Sequence, residues 1–439
     1  MNYPKISNCK NLVCQLGYYS QLKHEYGARG VTPLLIGTER ILKSALARMK
    51  QLPVDQAQVR REPNDLFAIR RLRPNGPRRL WKRFDSAAYC GRIEGALLGR
   101  MAGCTLGAPV ENWSIPDMRN LAGENGEKFP PTDYWSYVPY PYQKRYDMSP
   151  REAYTRSKMN GVPVDDDIAY TLLGLLVVEK FGPNFTPEQN GKAWIKHLPF
   201  ACTAEKVALD NLKAGIPEWK AGEKDNPYCE WIGADIRSDP WGYMAPGWPE
   251  FAADMAYRDA YLSHRRNGIY GEMFFAAAIA AAFAVDDPTE ALKIALTEIP
   301  RDCALAKAVR WALRQAPRIK NYCQAREAVD RRFAGMNAVH TINNACLAIL
   351  GIAIGGTDFT KVIGETVAMG LDNDCTAATA GSIVGAVVGK KGIPKHWYKP
   401  FHNTVHSYLT GEPKFRIDDL AKRFGKQAEK AYRNIEKPL

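Results

Sequence analysis

From about residue 86 onward the apolar positions recur with the spacing of helices, most clearly over 170–180, 271–285, 344–355 and 377–389, while sustained strand-like alternation is nearly absent. The run 274–285 is apolar at every position and mostly alanine, too short to cross a bilayer, and reads as a buried helix. Long connectors rich in aromatic residues and proline separate these segments, at 128–145 and 226–250, and loops of that length in a compact domain are usually functional or packed as lids. The predicted fold class is therefore all-α.

Small residues recur every four positions at Gly91, Gly95, Gly99, Gly103 and Gly107, and again at Ala377, Gly381, Gly385 and Gly389. Glycine costs a helix about 1 kcal/mol per position relative to alanine, so a whole stripe needs a compensating contact. A tight helix-helix seam supplies it. Upstream, Thr38 is predicted to cap a helix with Ile41, Leu42, Ala45, Leu46 and Met49 on its apolar face, and Pro74-Asn75-Gly76-Pro77 reads as a turn. Leu66, Phe67, Ile69, Leu72, Leu80, Trp81 and Phe84 add buryable surface, so the chain is expected to divide into an N-terminal extension, 1–85, packed on a helical body, 86–439.

Charge sharpens that division. The 439 residues carry a net charge of +13, yet residues 1–90 hold 17 Lys and Arg against 6 Asp and Glu, and the rest 43 against 41. The body is close to neutral and the extension basic. Its densest part, Arg70, Arg71, Arg73, Arg78, Arg79, Lys82 and Arg83, makes nucleic acid a possible partner through residues 60–83, against the alternative of a solvated basic face. The N-terminus lacks the charged-then-apolar order of a secretory signal, and ten cysteines contain no Cys-x-x-Cys pair. The expectation is a cytoplasmic protein with reduced thiols and no membrane partner.

Three acidic elements sit at predicted helix edges: Glu111 beyond Pro109, the triplet Asp165-Asp166-Asp167, and Asp372-Asn373-Asp374-Cys375. One carboxylate is enough to cap a helix, so the surplus needs solvent, a basic partner or a cation. Oxygen donors without a His or Cys cluster suit Mg2+ or Ca2+ better than Zn2+. A solvated acidic cap stays open as the alternative.

Taken together, these segments resemble the ADP-ribosylglycohydrolase family. Arg92-Ile-Glu-Gly-Ala-Leu-Leu-Gly99 and Gly103-Cys-Thr-Leu-Gly107-Ala-Pro-Val-Glu111 are similar to its opening helix and glutamate. Val164-Asp-Asp-Asp167 is similar to its Thr-Asp-Asp-Thr loop, and Gly370-Leu-Asp-Asn-Asp-Cys-Thr-Ala-Ala378 to its Gly-Gly-Asp-Thr-Asp-Thr-Asn-Ala-Ala loop. The resemblance implies an all-α domain, a compact multi-helix orthogonal bundle of the ADP-ribosylglycohydrolase type, with two Mg2+ ions, that binds an ADP-ribose-containing substrate and hydrolyses its glycosidic bond. Carried over by position, Glu111, Asp166 and Asp372 would be catalytic, and Asp165, Asp166, Asp167, Asp372, Asp374 and Cys375 would hold metal. Val164 and Cys375 replace hydroxyl residues of the family loops, Asp167 replaces a threonine, and Cys104 stands where aspartate is common.

Further substrate contacts follow from the same resemblance. Gly233-Ala-Asp-Ile-Arg237-Ser238 is similar to a glycine-rich phosphate loop, which would set Gly233, Arg237 and Ser238 against a pyrophosphate, unless Arg237 pairs with Asp235 or Asp239 instead. Ser263-His264, Asn267 and Tyr270 would lie near the substrate, with a structural role as the alternative for His264. His340 and Asn343-Asn344 read first as caps, and Tyr134, Trp135 and Tyr137 as adenine stackers or a packed loop. Besides hydrolysis, two other functions fit: a non-catalytic ADP-ribose or nucleotide-binding module, and a nucleic-acid-associated protein recruited through the basic arm.

Overall fold

In the computed structural model, which describes Tyr3 and residues 7–435, the Ser86–Gly107 and Asn373–Val388 helices run antiparallel along one seam. The seam is built from the two stripes of small residues. A Cβ placed on Gly95, Gly99 or Gly103 would fall 2.2, 2.1 or 2.0 Å from the carbonyl oxygens of Gly385, Gly381 and Ala377. No side chain larger than hydrogen fits between these backbones. Gly91, where a Cβ would meet nothing, lies beyond the close approach.

Around the seam the all-α architecture predicted from spacing is observed, with two small antiparallel pairings among the described residues: Lys144–Arg145 with Ser149–Pro150, and Thr404–His406 with Lys414–Arg416. The alanine-rich Asn267–Ala282 helix is buried along its entire length, so it is apolar on every side because every side meets protein. The two long connectors are ordered and largely packed. Tyr134 and Trp135 are buried, with Tyr134 Oη donating to Trp397 O (2.6 Å) and Trp135 Nε1 to Leu106 O (3.1 Å), which removes them as adenine stackers. Residues 226–250 fold into the short helices Ile232–Arg237 and Asp239–Met244.

The chain forms two units: residues up to Arg60 with Phe333–Met336, and Arg61–Arg332 with the chain from Asn337 on. In the first unit the expected Thr38 cap is corrected. The Val31–Lys50 helix begins after Gly30, whose φ of +89° suits glycine, and Thr38 lies inside it with Oγ1 bonded to Leu34 O (3.0 Å). Ile41, Leu46 and Met49 are exposed on this helix.

The densest basic segment has its partners within the second unit. Arg70 pairs with Asp254; Arg73 bridges Glu298 and Glu250; Arg78 also pairs with Glu298. Arg79 stacks over Trp248 with its guanidinium carbon 4.1 Å from the ring centre, and Leu80 N donates to Gly247 O (2.7 Å). A segment that reads as a charged arm thus serves as internal counter-charge.

Candidate active site

The seam sets the site. At its lower end Gly107 lies against the backbone of Asn373 and Asp374, and Asn112 N donates to Leu371 O (2.9 Å). The turn Ala108–Val110 after the first helix therefore delivers Glu111 beside Asp372 and Asp374. The third acidic element arrives through Arg100, fully buried in the first helix. Its guanidinium donates to Asp167 O (2.7 Å), Asp167 Oδ1 (3.1 Å) and Asp239 Oδ2 (2.7 Å), which fixes the start of the Asp166–Phe181 helix against the seam.

Glu111, Asp166, Asp372, Asp374 and Cys375 line one cavity of about 290 Å³, together with Gly233, Tyr170 and Glu205. Asp165 and Asp167 lie directly behind that wall. Asp165 caps the Asp166–Phe181 helix by accepting from Asp167 N (3.2 Å), and Cys375 Sγ donates to Asp167 Oδ2 (3.2 Å). The donor atoms of Glu111, Asp372 and Asp374 lie within 4.8 Å of one another, as do those of Asp167, Asp374 and Cys375, and of Cys104, Asp165 and Asp167.

So many carboxylates in one place resist ionisation. The charge of Asp374, together with burial, pushes the Glu111 carboxyl up to about 7 despite the opposing Arg145. Burial first, and neighbouring carboxylates after it, hold Asp165 and Asp372 well above the ordinary range, and burial raises Asp166 even though Tyr146 Oη donates to its Oδ1 (2.8 Å). Asp372 Oδ1 is buried without a hydrogen-bond partner. A hard divalent cation fits this donor set: it would relieve the repulsion and engage that orphaned oxygen.

Other predicted substrate contacts are not in the cavity. Arg237 is buried and committed to Glu205, Asp259 and Glu272, with Ser263 Oγ at 3.0 Å, rather than to a pyrophosphate or to Asp235 or Asp239. Ser238 Oγ donates to Asp235 O (2.7 Å), and His264 Nδ1 sits 2.8 Å from Ser263 Oγ in a fully buried position. Asn267 joins Glu230 to the backbone of Leu305, and Tyr270 donates to Pro63 O. Arg237, Ser238, Asn267 and Tyr270 are engaged by protein partners, while His264 keeps a buried Nε2 without one. Gly233 alone of that group reaches the cavity, and a Cβ there would fall 2.3 Å from Glu205 Oε1. His340 caps the Thr341–Gly355 helix by accepting from Ile342 N (3.2 Å), as its position suggested.

Residues that the sequence did not single out also line the cavity, among them Arg145, Tyr146, Tyr170 and Glu205. Arg145 is central. Its guanidinium donates to Glu111 Oε2 (2.8 Å), Asp165 Oδ2 (3.0 Å) and Asp374 Oδ2 (3.0 Å), one carboxylate from each acidic element. The one available signal was the carboxylate surplus, which calls for a cation without saying which basic residue provides it.

The ADP-ribosylglycohydrolase family profile matches residues 85–434. The chain belongs to the ADP-ribosylglycohydrolase family. Among solved structures, an "ADP-ribosylglycohydrolase-related protein complex" aligns with a TM-score of 0.53 at 20% identity, covering 79% of this chain and 99% of that one, a likeness in fold. No curated protein matches the sequence significantly. For this ADP-ribosylglycohydrolase fold, then, the matched region starts at the glycine-striped helix and encloses all three acidic elements. Among the described residues, no helix is long and apolar enough to cross a membrane.

Proposed function

We propose that this protein is a metal-dependent hydrolase that removes ADP-ribose from a modified protein, nucleic acid or small molecule by cleaving its glycosidic bond. The observation that carries this reading is the convergence of Glu111, Asp166, Asp372 and Asp374 on one cavity, with Asp372 Oδ1 buried and unpartnered. In the net reaction, water adds a hydroxyl to the anomeric carbon and a proton to the leaving group. Glu111, half-buried and pushed up to about 7 by Asp374 and burial, takes the proton from the attacking water. Asp166, oriented by Tyr146, binds the ribose diol, and Asp372 holds the opposite wall. Asp165, Asp166, Asp167, Asp372, Asp374 and Cys375 are the residues that would hold Mg2+, whose contribution when bound is charge compensation and Lewis-acid polarisation.

The test is release of ADP-ribose from ADP-ribosylated peptide, protein and nucleic acid in the presence of Mg2+. Full activity after Asp372→Ala combined with Asp374→Ala would overturn the assignment. A second reading, a non-catalytic ADP-ribose or nucleotide-binding module, draws support from Arg145 sitting among the carboxylates. Tight ADP-ribose binding by calorimetry without turnover under any divalent metal would favour it. Recruitment of nucleic acid through residues 60–83 has little support, since Arg70, Arg73, Arg78 and Arg79 are engaged within the chain. The ten unpaired cysteines fit a reducing, cytoplasmic setting.

A further inference from the structure

Arg145 is held in place by more than the carboxylates it contacts. It ends the short strand Lys144–Arg145, paired with Ser149–Pro150, and the turn that follows puts two non-glycine residues, Tyr146 (φ 52°) and Asp147 (φ 55°), in the left-handed region. Such residues cost free energy and persist where their surroundings fix them. Here Tyr146 lies parallel to Phe200 at 5.9 Å, packs on Tyr408 and donates to Asp166, while Ser149 Oγ accepts from Val164 N (3.2 Å). The hairpin is fastened to the Asp165 side of the site. Its guanidinium makes a further bond to Ala108 O (2.8 Å), so donors on both of its terminal nitrogens are engaged.

The two sides of the acidic cluster therefore differ. On one, Glu111, Asp165 and Asp374 each give an oxygen to Arg145, and Val164 supplies no side-chain donor, its carbonyl accepting instead from Tyr154 Oη. On the other, Asp372 keeps a buried oxygen without a partner, and one of its donor atoms lies within 4.8 Å of donor atoms of Glu111 and Asp374. A guanidinium cannot lose its charge at any relevant pH and presents a rigid fork to carboxylates, so it can replace a divalent ion as counter-charge without replacing its Lewis acidity.

We propose that Arg145 is a resident cation that takes the Asp165 side of the centre, so that the site holds one divalent ion, on the side of Asp372. The inference rests on the metal-dependent reading above. It is tested by counting bound Mn2+ per chain, by equilibrium dialysis with electron paramagnetic resonance of the free ion, on the full-length protein and on Arg145→Met and Arg145→Lys. The expected counts are one for the wild type, two for Arg145→Met and one for Arg145→Lys, with circular dichroism showing that each variant is folded. The lysine variant keeps the charge and guards against a count changed by unfolding. Equal counts in wild type and Arg145→Met, at one or at two, overturn the role of Arg145 while leaving a metal-dependent enzyme. A count of zero in all three overturns the metal-dependent reading and the inference with it.

Discussion

Two arginines in this protein each face three carboxylates, and they do different work. Arg237 holds Glu205, Asp259 and Glu272 in the core, where all four side chains are almost wholly buried. Arg145 holds Glu111, Asp165 and Asp374 at the wall of the cavity, on a hairpin, with Glu111 partly exposed. Charge counting alone treats the two clusters alike. What separates them is the place of the guanidinium: Arg237 does not line the cavity, although its partner Glu205 does, whereas Arg145 lines that space of about 290 Å³ together with Glu111 and Asp374. One cluster is part of the scaffold, and the other is chemistry held by the scaffold.

The largest effect that can break this comparison is Arg237→Met. It strands three buried carboxylates, and removing one partner of a buried ion pair costs about 3–5 kcal/mol. Urea denaturation should show that loss, and Mg2+ should not restore it; a loss below about 1 kcal/mol would mean that the Arg237 cluster is as adaptable as the cavity. Next is the pH dependence of Glu205, which burial pushes up to about 7 even with Arg237 beside it. The folded state then keeps a proton that the unfolded chain releases near 4.5, so this group's contribution is full below 4.5 and falls away as pH rises to 7. At 1.36 kcal/mol per pKa unit the change is at most about 3 kcal/mol. Glu205→Gln should remove that slope, read as a wild-type minus variant stability difference that declines from pH 4.5 to 7.

The comparison also explains what the sequence could reveal. Buried helices such as Asn267–Ala282 announce themselves by alanine content, and the glycine stripes announce a seam, because both signals are local and repeat along the chain. The three acidic elements were legible for a similar reason: each lies beside a helix boundary in a recognisable order. Arg145 has no such mark. Its partners lie 34, 20 and 229 positions away, and only the folded hairpin brings them together. Arg237 carried a local signal, a glycine-rich loop, that suggested phosphate. Tertiary packing overrode it, because Glu205, Asp259 and Glu272 converge on the same guanidinium from three other helices.

Arg145→Met should cost less than Arg237→Met, about 1–2 kcal/mol in the absence of divalent metal, since its carboxylates can take up protons or cations from the cavity. Its distinguishing outcome is recovery: an ion that binds only the folded state at 100 times its dissociation constant adds about 2.7 kcal/mol, so Mg2+ should stabilise Arg145→Met and leave Arg237→Met unrescued. Thermal melts of the two variants with and without Mg2+ check both halves.

The smallest effect tests how Arg145 is kept in position. Tyr146→Phe removes one hydroxyl, the donor to Asp166 Oδ1, and keeps the ring against Phe200 and Tyr408 and 5.4 Å from the guanidinium carbon of Arg145. A single hydrogen bond to a carboxyl group is worth about 1–2 kcal/mol, so a loss near 1 kcal/mol by urea denaturation is expected. Tyr146→Ala should cost more, because it also removes the ring. If Tyr146→Phe matched Tyr146→Ala, the hydroxyl would be what holds the hairpin against its left-handed turn; if it matched the wild type, the ring packing alone would hold it. The intermediate value is expected because the ring fixes where the strand ends while the hydroxyl ties it to Asp166, an acidic residue that Arg145 does not touch.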